Sequence, residues 1–212
     1  MLLYEHRDGL YLNLTNRCPT ACAFCVKKDW GWQFRGHDLR LGAREPTVPE
    51  IVAGLDERLS GSKTYAELVF CGYGEPTMRI NALLAAGIYA RRRRPELPLR
   101  LNTVGLGSLI QERDIVPDLA ALLDSVSVSV NVADSARWEE LHRPRPEYRG
   151  RGFAAVREFV AGCVAAGLRT RVTAVELPGS DLGEVRALAR ELGADFLARP
   201  ALSRDALDED VV

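Results

Sequence analysis

Residues 10–25, LYLNLTNRCPTACAFC, pass from an apolar, strand-like run straight into three cysteines, Cys18, Cys22 and Cys25. These are three of the five cysteines in the chain, spaced C-x3-C-x2-C, with no fourth nearby in sequence. Three thiols this close can ligate one metal centre without closing a long loop. Zinc would want a closed tetrahedron, with His37 or Cys71 as the fourth ligand. A dithiol redox pair, Cys22-Ala-Phe-Cys25, would want a strand before it and a helix after. An iron–sulfur cube held by three thiolates would leave one iron able to bind a ligand.

The rest of the chain narrows that choice. At 212 residues it can fill a core without covalent staples, and 27% charged with 47% hydrophobic residues is the balance of an ordinary globular protein. A net charge of −1 gives no global field toward nucleic acid or anionic membrane. The opening MLLYEHRDG is too quickly charged for a signal peptide, and no apolar stretch approaches the ~20 residues of a membrane span. The expectation is therefore a cytoplasmic protein with neither membrane nor nucleic acid as partner, where a disulfide framework is out of place.

Strand-like runs recur at 10–15, 66–71, 99–104, 125–132, 169–177 and 194–200. Between them lie helical stripes: Ile51, Leu55 and Leu59; Ile80, Leu83, Leu84 and Ile88; Leu119, Leu122 and Leu123; Phe153, Val156, Val160 and Val164; Leu182, Val185, Ala189 and Leu192. Gly61, Gly167 and Gly193 each stand just before a strand, as helix-terminating glycines do. Six strands alternating with five helices predict an α/β fold with a mainly parallel sheet, doubly wound or curved into an incomplete barrel. No linker divides residues 1–212, so one domain is expected, with a short acidic tail over about 203–212. Chemistry in such folds gathers at the C-terminal ends of strands. Those ends here carry the cysteines, CGYGEPT (71–77), NTVG (102–105) and SVNVAD (129–134).

At this point a resemblance enters. C-x3-C-x-aromatic-C at the end of the first strand, with Phe24 as the aromatic, resembles the signature of the radical SAM (S-adenosylmethionine) superfamily. Gly72-Tyr73-Gly74-Glu75-Pro76 resembles that family's Gly-Gly-Glu-Pro motif, departing from it at Tyr73. The resemblance implies a partial (β/α)6 TIM-like barrel in which Cys18, Cys22 and Cys25 hold a [4Fe–4S] cluster. The amine and carboxylate of S-adenosylmethionine then chelate the remaining iron, and Gly74 and Glu75 receive the amine. Ser129-Val130-Asn131 resembles the Ser-x-Asp of the fourth strand, with Asn for Asp, and Asn102 and Thr103 resemble the polar residues ending the third. Strand alternation puts Ser127, Ser129 and Asn131 on one face. The short length and the 10–25 opening look like the subgroup associated with TatD-type nucleases.

The implied reaction is reductive cleavage of S-adenosylmethionine to a 5′-deoxyadenosyl radical that takes hydrogen from an unidentified substrate, small molecule or protein. An electron donor such as flavodoxin or ferredoxin is implied as well. The alternatives are an activase acting on a partner protein and, from a different class, a non-catalytic zinc or iron–sulfur interaction module.

Several residues carry secondary expectations. Trp30, Trp32 and Phe34 sit in the 26–46 connection and read as a hydrophobic cover over the cluster, or as an aromatic wall for substrate. Six strands do not close a barrel, so a lateral mouth is expected, with that connection over part of it. His37 reads as a loop residue, and Cys71 and Cys163 as small buried apolar groups. Arg91 to Arg94 read as a solvated helix end. His142-Arg143 and Arg199-Pro200 are noted for their positions after the fourth and in the sixth strand.

Overall fold

The computed structural model describes residues 1–202, and the acidic 203–212 stretch lies outside the described residues. The chain opens with a hairpin that the sequence reading did not anticipate: β1 (Leu3–His6) pairs antiparallel with β2 (Gly9–Leu12). The first helix, α1 (Lys27–Trp30), and a two-stranded ribbon, β3 (Gln33–Phe34) with β4 (His37–Asp38), occupy the long connection after the cysteines. The chain then alternates through α2 (Val48–Ser60), β5 (Glu67–Phe70), α3 (Ile80–Arg93) and β6 (Leu99–Thr103). After α4 (Gly107–Gln111) and α5 (Val116–Ala120) come β7 (Ser125–Ser129), α6 (Ser135–His142) and α7 (Gly152–Ala165). It ends in β8 (Arg169–Glu176), α8 (Leu182–Glu191) and β9 (Asp195–Pro200).

The main sheet has seven strands in the order β1-β2-β5-β6-β7-β8-β9, all parallel from β2 onward. Every one of the six expected parallel strands is present. β1 and β9 are unpaired edges, so the sheet is an arc rather than a closed barrel, as the count of βα units requires.

Strand alternation divides the arc into two faces. Leu10, Leu12, Leu68, Phe70, Leu99, Leu101, Val126, Val128, Val172 and Ala174 join the helices in one buried core. The intervening residues, among them Tyr11, Val69, Arg100, Asn102, Ser127, Ser129 and Arg199, face the inner side. The helices follow from local chemistry. Thr47 and Glu50 form a capping box at α2, and Asp181 accepts from the Gly183 and Glu184 amides at α8. Gly167 and Gly193 leave their helices at positive φ, +77 and +74, whereas Gly61 ends α2 in extended backbone at φ −71 and needs no glycine for that reason.

Two expectations are corrected here. The chain holds more helices than the five read from apolar stripes, because α1, α4 and α6 are too short to show a long stripe. Of the arginines ending α3, Arg92 and Arg93 are exposed as a solvated end would be, but Arg91, Arg93 and Arg94 also serve as structural ties. Arg91 reaches Leu97 O, Leu122 O and Asp124, Arg93 reaches Asp56 and Ser60, and Arg94 reaches Leu59 O and Gly61 O. Among the described residues no helix is long and apolar enough to cross a membrane.

Candidate active site

β2 ends at Leu12, and the cysteine loop leaves it without regular structure. What fixes the loop is the C-terminal end of α6. Ala23 N–H donates to Leu141 O at 2.8 Å, Ala21 N–H to His142 O at 3.1 Å, and Arg145 N–H to Pro19 O at 2.9 Å. Thr20 and Pro144 form an isolated bridge beside them. Backbone groups therefore do the anchoring, and the thiols are left at the surface of the loop, partly exposed.

The Thr20 hydroxyl lies 3.4 Å from Cys18 Sγ and 3.3 Å from Cys22 Sγ. Burial pushes the Cys22 thiol up to about 12, with the Cys18 and Cys25 thiols adding to the rise against the Thr20 hydroxyl. Burial raises Cys18 too. Three thiols within one another's field, with Lys27 acting on Cys18 against its burial, form a donor set that a metal centre would deprotonate. Among the described residues no three His, Cys, Asp or Glu side chains converge on one point, as a single tetrahedral ion demands. A cubane spreads three thiolates over three irons and needs no such convergence. His37 is engaged elsewhere, its Nε2 3.1 Å from Glu5 O, and neither it nor Cys71 completes a fourth position. The thiol trio fits a cluster held by three thiolates, which needs no fourth protein ligand.

His142 is the main residue that the sequence reading missed. It is fully buried, stacked on Trp138 at 4.6 Å between centroids and met edge-on by Phe24 at 5.5 Å. Its Nδ1 lies 3.5 Å from Cys22 Sγ, and its Nε2 lies 3.1 Å from Asn131 Nδ2 and 3.2 Å from Val130 O. Asn131 Oδ1 accepts from Val175 N–H at 3.0 Å, which fixes the amide and turns Nδ2 toward the ring. Asn131 Nδ2 favours a hydrogen on Nδ1, facing the Cys22 sulfur, and Val130 O favours one on Nε2. Burial holds His142 near 4, so the ring is neutral at ordinary pH. Trp138 and His142, four apart on a helix begun by Asp134, were the available signal.

The glycine–glutamate turn sits against the same loop. A Cβ on Gly74 would lie 2.2 Å from Thr15 O and 2.6 Å from Arg17 O, so only glycine lets the two strand ends approach. Glu75 N–H then donates to Arg17 O at 2.8 Å. The Glu75 carboxylate is buried and caps the turn: Oε1 accepts from Thr77 N–H and the Thr77 and Thr103 hydroxyls, and Oε2 from Val104 N–H at 2.8 Å. Tyr73, where the motif departs from glycine, fills a separate purpose. Its ring packs near Trp32 and Phe34, and its hydroxyl donates to Gln33 O at 2.5 Å. With Tyr4, Tyr11, Val26 and Leu39 these rings form a second apolar cluster under the 26–46 connection. Trp30 is buried and stacks on Phe34. Asn13 and Asn16 hold that cover down through Leu39 O.

The remaining expected residues divide. Asn102 and Ser129 face the inner side of the arc, Asn102 accepting from Arg100 at 2.5 Å and Ser129 from Arg199 at 3.1 Å. Thr103 is buried and engaged with Glu75 and Gly105 N–H. Asn131 does not continue the Ser127–Ser129 face. β7 ends at Ser129, and Asn131 takes positive φ, +65, which its side chain tolerates and which turns it toward β8 and His142. Cys163 lies in the core, whereas Cys71 is partly exposed on the inner side beside Asn102.

An open α/β arc with a thiol trio at one strand end and a buried glycine–glutamate turn at the next defines a cofactor-using half-barrel, with its chemistry on the C-terminal rim. The chain belongs to the radical SAM superfamily, whose family model matches residues 12–192. Its members use a [4Fe–4S] cluster with S-adenosylmethionine, and this protein is one of them. No curated protein matches the sequence.

Solved structures share the fold at low identity. SuiB of Streptococcus suis bound to S-adenosylmethionine superposes with a TM-score of 0.62 at 17% identity, over 92% of this chain and 38% of that one. anSMEcpe with bound AdoMet gives 0.66 at 16%, over 91% and 51%. A radical SAM methyltransferase from Sphaerobacter thermophilus gives 0.59 at 17%, over 96% and 70%. The chain thus spans about half the length of anSMEcpe and less of SuiB.

Proposed function

We propose that this protein is an enzyme that cleaves S-adenosylmethionine reductively and uses the product radical to abstract hydrogen from a small molecule held inside the arc. The observation that carries it is the thiol trio, anchored through backbone alone, beside a turn that Gly74 and Glu75 lock against the same loop. When bound, the cluster and S-adenosylmethionine together supply one electron and a 5′-deoxyadenosyl radical.

Cys18, Cys22 and Cys25 would hold the cluster, with His142 donating a hydrogen bond to the Cys22 sulfur and Phe24 packing on His142. Around S-adenosylmethionine we assign contact to the backbone at Gly74, to Asn102 and to Ser129. Glu75 has room for one further donor on Oε2, since only Val104 N–H is bonded there. Thr103 and Asn131 are positioning residues in this reading, because their side chains are already engaged. The aromatic cover keeps water and stray hydrogen donors from the site. A cytoplasmic setting, a flavodoxin or ferredoxin as electron donor, and the TatD-associated subgroup belong to the same proposal, the last supported only by residues 10–25.

Anaerobic reconstitution with iron and sulfide, then incubation with S-adenosylmethionine and dithionite, tests the reaction. Methionine and 5′-deoxyadenosine in equal amounts are expected from the wild type, and neither from Cys22→Ala. Stoichiometric zinc with no iron after reconstitution would sink the reading and favour the interaction module.

A further inference from the structure

The inner side of the arc contains a guanidinium that has no acid paired with it among the described residues. Arg199 sits near the end of β9, opposite Val175 of β8 in register. Its Nη2 donates to Ser129 Oγ at 3.1 Å, while its buried Nε has no partner. Three other partly buried arginines are paired, Arg79 with Glu45, Arg91 with Asp124 and Arg100 with Glu67. Among the described residues Arg199 has no ion pair.

The surroundings make the omission costly. Burial and the field of Arg100 disfavour the Arg199 charge, and the Cys71 thiol is the group that favours it. Arg100 is itself held bidentately by Glu67, and among the described residues Glu67 makes no ion pair with Arg199. A confined cation with an unused N–H is poorly placed unless something anionic visits it. Its position supplies the reason. Ser129 lies at the rim end of β7, and Asn102 and Cys71 lie on the neighbouring strand ends. The cation therefore lies on the inner face, close to the same rim.

We propose that Arg199, oriented by the Ser129 hydroxyl, binds an oxyanion (carboxylate or phosphate) of the small-molecule substrate. This rests on the arc being the substrate chamber, as argued above. The guanidinium edge suits the planar fork of a carboxylate or two oxygens of a phosphate. S-Adenosylmethionine also carries a carboxylate, so the test has to separate the two sources.

The probes are malonate and inorganic phosphate, titrated calorimetrically into the reconstituted full chain with S-adenosylmethionine saturating. At least one should bind the wild type, and Arg199→Met should weaken it by about tenfold or more, with Arg199→Lys between them. Without added anion, Arg199→Met should melt no lower than the wild type, because an uncompensated charge has been removed. Anion should raise the melting temperature of the wild type and not of Arg199→Met.

The proposal is overturned if neither anion binds the wild type, or if both variants bind as it does. A lower melting point in Arg199→Met, restored by Lys, would make the residue structural. If instead Arg199→Met weakens S-adenosylmethionine tenfold and leaves anion binding alone, the cation serves the cosubstrate. Absence of 5′-deoxyadenosine from the wild type would sink the reaction proposed above, whatever the anions do.

Discussion

The two halves of the site are built in opposite ways. In the cysteine loop, backbone amides and carbonyls hold the chain to α6, and the three thiols are left with little but Thr20 and His142. In the glycine–glutamate turn, the side chain does the holding, and the Glu75 carboxylate is surrounded by Thr77, Thr103 and Val104. A ligand set must be free to change partners when its metal arrives, so it cannot also be the anchor. A carboxylate buried at a strand end must be satisfied in every state, so it is.

The widest contrast should come from removing each half. Cys18→Ala, Cys22→Ala and Cys25→Ala should each abolish bound iron and sulfide while changing the urea stability of the cluster-free protein by less than ~1 kcal/mol. Cys71→Ala and Cys163→Ala should keep the iron. Glu75→Ala should do the reverse damage. It strands the Thr77 and Val104 amides in a buried place, at about 1–3 kcal/mol each. A Glu75→Ala protein as stable as the wild type would erase the distinction.

The aromatic cover sharpens it further. Tyr73→Ala should cost about 3 kcal/mol, by analogy with other large aromatic truncations, and should speed loss of the cluster's visible absorbance in air. Tyr73→Phe removes only the bond to Gln33 O and should cost ~1 kcal/mol. Equal cluster lifetimes in all three proteins would mean that the cover does not shield.

His142→Phe tests the loop side at smaller scale. Losing an N–H directed at Cys22 Sγ should lower the cluster's midpoint potential with iron content unchanged, read by anaerobic voltammetry. An unchanged potential would assign the hydrogen to Nε2, donating to Val130 O instead.

The smallest effect is in pH, and it has opposite signs at two carboxylates. Burial raises Glu75, outweighing the Val104 amide and the two hydroxyls. Its titration therefore favours folding below the unfolded value, and that advantage is lost as pH rises through the folded one. Burial opposes Asp124 as well, but Leu99 N–H and Arg91 outweigh it and hold the group low. Its contribution is present above the unfolded value of about 3.9 and lost as pH falls through the folded one. Melting of the cluster-free wild type against Glu75→Gln and Asp124→Asn, from pH 7 down to about pH 2, should diverge in opposite directions, the Glu75 difference appearing first and the Asp124 difference only below about pH 4.

Much of this was legible in the chain. The six parallel strands and the longer helices follow from apolar period, and the thiol trio from its spacing beside β2. Tyr73 was visible as a departure, but its reason was not, because Gln33, Trp32 and Phe34 reach it only through the fold of the 26–46 connection. Asn131 was placed on the Ser129 face because alternation was carried past the last paired residue, where a positive φ breaks the pattern. Arg91 to Arg94 looked like a charged helix end because their acceptors, on α2 and beside β7, are distant in sequence.

By itself the sequence determined that three thiols gather at one strand end, since their spacing is a local property, and the resemblance to the radical SAM signature chose among the centres that spacing left open. It also determined a mainly parallel sheet with helices between its strands, because period-2 and period-3.6 patterns are written residue by residue, but not whether that sheet is doubly wound or an arc. Only the tertiary structure decided which nitrogen of His142 faces Cys22, why Gly74 must be glycine, and that Arg199 has no ion pair among the described residues. Each depends on atoms brought within a few ångströms from strands and helices far apart in the chain, and no local pattern records that distance.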